Sequence, residues 1–255
     1  MGFLCSLLLL WGCTLLFSDA LYKDLWDEEE EQKLGFCDWK CMMFVQSWPG
    51  SFCVFLGKRF NCVIPLSIND WIIHGLWPSG VRECCNCWHL FRSDLQGLES
   101  QLSLHWPSLI NQTSFLFWQN EWHKHGSCAG CIETLSSTSK YFGTALKLHT
   151  LYSLDSAFQR AGIVPSCDRS YPYKTLSRIL LSAFRVTPDL QCAMDEKGRE
   201  VLVQVKISLY RNFSAGCEDF QGASDPSGSP YRPCRENANI YYFPINRKTP
   251  RDPCP

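Results

Sequence analysis

Beyond Phe17 this 255-residue chain contains no run approaching the roughly 18 consecutive apolar residues that a membrane-spanning helix requires, so no span is expected. Neither sign of charge is in excess: 24 Lys and Arg stand against 25 Asp and Glu, a formal net charge of −1. That balance excludes the broad basic footprint on which many nucleic-acid binders depend, and any anionic partner must be gripped locally. Internal repeats are absent, as is a Pro- or Gly-rich linker that would divide the chain.

Cysteine, by contrast, is plentiful, with sixteen residues. Gly2 to Phe17 are almost wholly apolar and Ser18-Asp19-Ala20 ends in small residues suited to cleavage, so residues 1–20 read as a secretory signal peptide, although one without a basic start. Cys5 and Cys13 leave with it, and the fourteen that remain read as a disulfide framework formed in an oxidising compartment. The Cys84-Cys85-Asn86-Cys87 cluster suggests half a zinc site, but no second pair at the spacing of a zinc module accompanies it. Sequons at Asn111 (Asn-Gln-Thr) and Asn212 (Asn-Phe-Ser) fit glycosylation on the same route. Residues 21–40 include the acidic run Asp27 to Glu31 and read as a solvated tail ahead of one domain over residues 41–255.

Met42 to Trp48 reads as a buried strand closed by Pro49-Gly50, and Asp70 to Pro78 as a second, with His74 where Gly75 and Pro78 interrupt the extended run. Leu90 to Leu104 and Tyr141 to Ala161 have helical spacing, the latter ended by Gly162, and Thr175 to Phe184 gives a further helix. Val201 to Tyr210 alternates as a half-buried strand, Ile240 to Pro244 forms a short late one, and residues 221–233 form a loop. Strands at both ends with helices between them indicate an α+β domain.

The densest chemistry lies in Phe117 to Cys128, where one carboxylate, two imidazoles and an ammonium sit among aromatics. On a regular helix Glu121 and His125 share a face while His123 points nearly the opposite way. A Glu four residues ahead of a His can accept its hydrogen bond, fix its tautomer and raise its pKa. Asn120 and Lys124 form a second such pair. Taken singly, these are an ordinary intrahelical pair, and His74, 51 residues before His125, is an ordinary strand-end hydrogen-bonder. Together with the flanking Trp77, Phe117 and Trp118 they are the groups needed for acid–base chemistry on a phosphodiester whose bases stack on aromatic faces. His123 and His125, two apart on a regular helix, cannot converge on one ion, so a metal hydrolase is not expected.

Ile73-His74-Gly75-Leu76-Trp77-Pro78 and Phe117 to Cys128 resemble the two signatures of the ribonuclease T2 family, in order and at a suitable spacing. Phe44 to Pro49 and Ala161 to Pro165 extend the resemblance over most of the chain. It implies a single α+β domain with a central, mainly antiparallel sheet flanked by helices, working as a monomer in an extracellular or lysosomal setting. The implied activity is an endoribonuclease cleaving single-stranded RNA with no cofactor and no metal. His125 is then the general base on the ribose 2′-OH and His74 the general acid for the 5′-oxygen. Glu121 and Lys124 stabilise the transition state, and Trp77, Phe117, Trp118 and Asn120 line the base and phosphate sites. Products are a 2′,3′-cyclic phosphate and then a 3′-phosphate. The resemblance also implies disulfides Cys53–Cys62, Cys85–Cys128 and Cys192–Cys234.

Two positions depart from the family pattern: Asn120 replaces a His that helps hold the phosphate, and Ser79 replaces an Asp that many members associate with base recognition. Rate and base preference are the properties these changes touch. Cys217 has Ser208 where its usual partner stands, which leaves Cys167 as a partner or no partner, and Cys84 or Cys87 has Cys131 available. The competing reading is a glycoprotein of the same fold with little turnover that binds RNA or a receptor; retention of His74, Glu121, Lys124 and His125 favours the enzyme.

Overall fold

The alternating run in the second half of the chain forms the central strand β5 (Glu200–Tyr210), buried along almost its whole length. Antiparallel neighbours flank it, β1 (Cys41–Ser47) on one side and β4 (Asp189–Met194) on the other. Outside β1 lies β2 (Ile72–Pro78), and outside β4 the short β6 (Arg232–Pro233). The start of β5 also pairs in parallel with β7 (Asn239–Tyr241), which in turn takes β3 (Ser170–Pro172) antiparallel. The structure, a computed structural model, describes residues 37–56, 60–217 and 231–255. The expected signal peptide, the acidic run and most of the 221–233 loop lie outside those residues. Residues 39–255 form one compact unit.

Period-2 geometry separates the two faces of this sheet. Met42, Phe44, Leu190, Val205, Ile207 and Leu209 point into the main core. The core is closed by Tyr141, Phe142, Ala145 and Leu148 of α5 (Thr138–Leu151), by Leu154, Ala157 and Phe158 of α6 (Leu154–Arg160), and by Leu176 and Leu180 of α7 (Tyr173–Phe184). Ser47, Gln191, Gln204 and Lys206 lie on the opposite face and are also buried, so that face is polar without being wet.

Two expected helices are each divided in the structure. Leu90 to Leu104 becomes a 3-10 turn, Arg92–Leu95, and α2 (Glu99–His105), parted at Gly97 with φ 85°. Tyr141 to Ala161 breaks between α5 and α6, where Ser153 starts a new helix by accepting the Ser156 N–H and the Tyr152 carbonyl accepts the buried Gln46 amide at 2.8 Å. Pro49–Phe52, expected only as a turn, makes a single helical turn, α1. Strands β3 and β4 were not anticipated: β3 is three residues ending in Pro172, and β4 is a six-residue segment with Asp189 and Gln191 in it.

The helices also set the start of β2. The Asp155 carboxylate accepts the Trp71 N–H at 3.1 and 3.3 Å, and His149 Nε2 donates to the Trp71 carbonyl at 2.9 Å. Both backbone polar groups of a fully buried residue are thereby satisfied by side chains, and the strand is clamped where it enters the core.

Six disulfides link the described residues: Cys41–Cys217, Cys53–Cys62, Cys84–Cys128, Cys85–Cys87, Cys167–Cys254 and Cys192–Cys234. The expected Cys85–Cys128 bridge is therefore corrected. Glu83 takes a left-handed φ of 54° and its N–H bonds to the Lys124 carbonyl at 2.9 Å, which brings the next residue, Cys84, against Cys128. Cys85 is then turned toward Cys87. Cys217 reaches Cys41 rather than Cys167, and the Cys131 thiol is outside any bridge, donating weakly to the Cys128 carbonyl at 3.8 Å. Nonreducing peptide mapping with fragmentation between Cys84 and Cys85 should link Cys84 to Cys128, and a Cys85–Cys128 linkage would contradict this geometry. Removing the bridge as a Cys84→Ala, Cys128→Ala pair should cost about 2–4 kcal/mol of stability in urea unfolding.

Candidate active site

The site is built on an irregularity in β2. Its register against β1 runs Ser47↔Ile72, Gln46↔Ile73, Val45↔Gly75 and Met43↔Trp77, so His74 is an extra residue with no cross-strand partner. Residues three apart on a regular strand point to opposite faces. The bulge resets the alternation, and the His74 and Trp77 rings meet edge-on with centroids 5.3 Å apart. The backbone is held there by the Trp106 indole, which donates to the His74 carbonyl at 3.0 Å. On the other edge of the imidazole, Nδ1 lies 2.5 Å from Gln204 Nε2 and 3.4 Å from Ser47 Oγ.

The second half comes from α3 (Ser114–Glu121) and the turn that follows it. Thr113 caps α3 by accepting the Leu116 N–H at 3.3 Å. The regular helix expected through Cys128 is not continued: Trp122–Gly126 is a π turn, closed by the Ser127 N–H to the Trp122 carbonyl, and a short helical piece, α4 (Ser127–Ala129), follows. The cause is the Trp122 side chain, which is fully buried with its indole donating to the Trp88 carbonyl at 2.7 Å. It packs against Gly126 so closely that a Cβ there would overlap the ring.

Trp77 joins the two halves. Its indole N–H donates to Glu121 Oε2 at 2.8 Å, and its ring stacks on His125 at 5.0 Å with an interplanar angle of 29°. A Cβ on Gly75 would overlap both the Trp77 nitrogen and Glu121 Oε2, so glycine is what lets the carboxylate reach the indole. Glu121 thus acts on the neighbourhood of His125 through Trp77, a route the i, i+4 spacing does not reveal.

Phe117 also takes a place in the wall, 6.0 Å from His74. Trp118 does not: it is 3% exposed in the core, with its indole donating to the Trp106 carbonyl at 2.7 Å, which corrects its expected role beside the substrate. Helical spacing put it among the motif's aromatics, but one residue of rotation from Phe117 turns it inward. Asn120 is exposed at the end of α3, and Lys124 is half-buried in the π turn. Among the described residues no ring contact joins His123 to His74, Trp77 or His125.

Burial pushes the Glu121 carboxyl up to about 7, against the opposing pulls of the Trp77 hydrogen bond and the Lys124 and Arg82 charges. Arg82, in the loop after β2, is a cation near the site that motif reading missed; its guanidinium pairs with Glu83 at 3.7 Å, in the loop that the Cys84–Cys128 bridge ties to the π turn. Gln204 and Ser47 were also missed, since polar residues in alternating strands carry no motif.

The model of the Ribonuclease T2 family matches residues 39–223. Ribonuclease T2 of Danio rerio is 32% identical over 220 residues, covering 82% of this chain and 89% of that protein. Ribonuclease T2 of Sus scrofa is 34% identical over 180 residues, covering 69% and 86%. Among solved structures, human RNase T2 superposes with a TM-score of 0.69 at 28% identity, covering 81% of this chain and 99% of that one.

The raised Glu121 pKa has a signed consequence for stability. Between its ordinary value of 4.5 and about 7 the folded state holds a proton that the unfolded state has released, so Glu121's contribution falls as pH rises through that window. Glu121→Gln removes the titration. Against pH 4, wild type should lose about 3 kcal/mol relative to this variant by pH 8 in paired urea titrations. Parallel pH curves for the two proteins would show that Glu121 titrates normally.

Proposed function

The chain belongs to the ribonuclease T2 family and is a ribonuclease, and from that premise we propose that it cleaves single-stranded RNA by metal-independent transesterification between two imidazoles. The observation that carries this reading is the packing of His74 and His125 on one indole, that of Trp77, at 5.3 and 5.0 Å. A single phosphodiester can then be reached from its 2′-OH side by one ring and its 5′-oxygen side by the other.

In the first step His125 takes the 2′-OH proton, the 2′-oxygen forms a bond to phosphorus, the bond to the 5′-oxygen breaks, and His74 protonates the departing oxygen. The product is a 2′,3′-cyclic phosphate, which water opens to a 3′-phosphate with the roles of the rings reversed. DNA lacks the nucleophile and is not a substrate. Lys124 offsets charge on the phosphoryl oxygens. Glu121 is 5% exposed, so its share is to fix Trp77 and, neutral on the acid side of about 7, to keep an anion away from the phosphate. Trp77 and Phe117 wall the site, and the Asn120 amide offers a neutral hydrogen bond to the phosphate.

Acid-side activity fits a secreted or lysosomal protein, and among the described residues no helix is long and apolar enough to cross a membrane. Asn111 and Asn212 are both exposed, and in the Asn212 sequon the Ser214 hydroxyl donates to Asn212 Oδ1 at 2.7 Å, which suits glycosylation of both.

Assays on RNA at pH about 5 with a chelator present should yield cyclic-phosphate ends. His74→Ala and His125→Ala should each lower turnover about 100- to 10,000-fold, with His123→Ala close to wild type. Equal losses at all three positions would overturn the role assignment, and no turnover by a folded wild type would favour the binding glycoprotein. Asn120→His should raise the rate by a few-fold to tens-fold, most at acidic pH, because a charged donor is about twice as strong as an amide. An unchanged rate would show that the surrounding residues have adapted to Asn.

A further inference from the structure

The reaction proposed above demands opposite states of His74 in its two steps, and the following rests on that reading. In transesterification His74 starts as an imidazolium and gives its Nε2 proton to the departing 5′-oxygen. In hydrolysis it starts neutral: water's oxygen bonds to phosphorus, water's proton goes to His74 Nε2, and the bond to the 2′-oxygen breaks as that oxygen takes a proton from His125. Each cycle therefore adds and removes a proton on a ring whose Nδ1 edge faces the buried side of the sheet.

That edge meets Gln204, which is 2% exposed in the middle of β5. Its Nε2 is 2.5 Å from His74 Nδ1 and 3.0 Å from Ser47 Oγ, and Ser47 is its cross-strand neighbour. Gln204 sits beside a second bulge. Against β4 the register runs Gln191↔Gln204 and Cys192↔Leu202, which leaves Val203 extra, and the Val203 carbonyl accepts the Trp48 N–H at 2.9 Å. Ring and amide are thus both aimed by irregular backbone, each pinned by its own hydrogen bond.

We propose that Gln204 is a positioning residue that holds the Nδ1 edge of His74 in both charge states by turning its amide. With nitrogen toward the ring, one N–H is given to the Nδ1 lone pair of the neutral imidazole and the other to Ser47 Oγ. With oxygen toward the ring, the two lone pairs accept the Nδ1–H of the imidazolium and the Ser47 hydroxyl. A carboxylate would match only the charged ring and an ammonium only the neutral one, whereas an amide presents both kinds of group at one place. Neither state then leaves a buried polar atom of this trio unmatched, so the pKa of His74 stays where both steps can use it.

The test separates the two steps with a dinucleoside monophosphate and a 2′,3′-cyclic nucleotide as substrates, and follows the His74 pKa by NMR. Gln204→Glu should raise that pKa and move the alkaline limb of cleavage upward. It should keep cleavage within about five-fold of wild type while slowing cyclic-phosphate hydrolysis at least ten-fold at pH 6. Gln204→Met, similar in size and without hydrogen bonds, should lower the pKa and reduce kcat of both steps about ten-fold with KM nearly unchanged. Equal losses on the two substrates in the Glu variant, or a His74 pKa unmoved in both folded variants, would overturn the proposal. Failure of the acid–base reading itself would show separately, as wild-type cleavage by His74→Ala. The NMR titration does not depend on turnover, so it judges the hold of Gln204 on His74 in either case.

Discussion

One extra residue in β2 decides the geometry of everything around it. Without the bulge, His74 and Trp77 would stand on opposite faces of the sheet, and the indole that carries His125 and receives Glu121 would be buried away from the first imidazole. The bulge costs ladder pairing at an outer strand, and the fold offsets that locally. Trp71 is clamped by Asp155 and His149 at one end, and the Leu76 carbonyl accepts the Tyr141 hydroxyl at 2.7 Å near the other.

Tryptophan does most of the remaining bracing, and by one recurring bond. Indole N–H groups of Trp39, Trp48, Trp106, Trp118 and Trp122 each donate to a backbone carbonyl distant in sequence or across a loop. Two run in series: Trp118 of α3 donates to the Trp106 carbonyl, and Trp106 donates to that of His74. The helix bearing the second motif is therefore linked to the strand bearing the first by large, rigid side chains with few rotatable bonds. Each buries apolar area while satisfying a polar group. Such a frame suits a site whose two rings must hold their spacing through two chemical steps.

His74, Glu121, Lys124 and His125 were legible because their types and order form a motif, and the sheet because β5 and β1 alternate or run apolar. What escaped has physical causes. Cys84 and Cys85 are adjacent, and only the left-handed turn at Glu83 decides which of them meets Cys128. Phe117 and Trp118 are likewise adjacent, and helix rotation alone puts one in the wall and the other in the core. The π turn is set by the volume of Trp122 against Gly126, a packing event with no local signature. Gln204 lies 130 residues from His74, and only strand pairing brings them together.

The balanced composition finds its counterpart in how charge is arranged at the site. A chain of net charge −1 cannot attract RNA by its overall field, so the attraction has to be concentrated in a few groups, and here their sign depends on pH. Lys124 and Arg82 both act on Glu121, and burial keeps that carboxyl protonated up to about 7. On the acid side the two cations stand with a neutral Glu121 and with whichever imidazole is charged, giving a local excess of positive charge where the phosphate must sit. As pH rises through 7 the imidazolium is lost while Glu121 becomes an anion, and both changes reduce that excess together. Burying a carboxylate beneath Trp77 therefore ties phosphate binding to the same pH range that leaves one histidine charged, so binding and proton transfer weaken in step as the medium becomes alkaline.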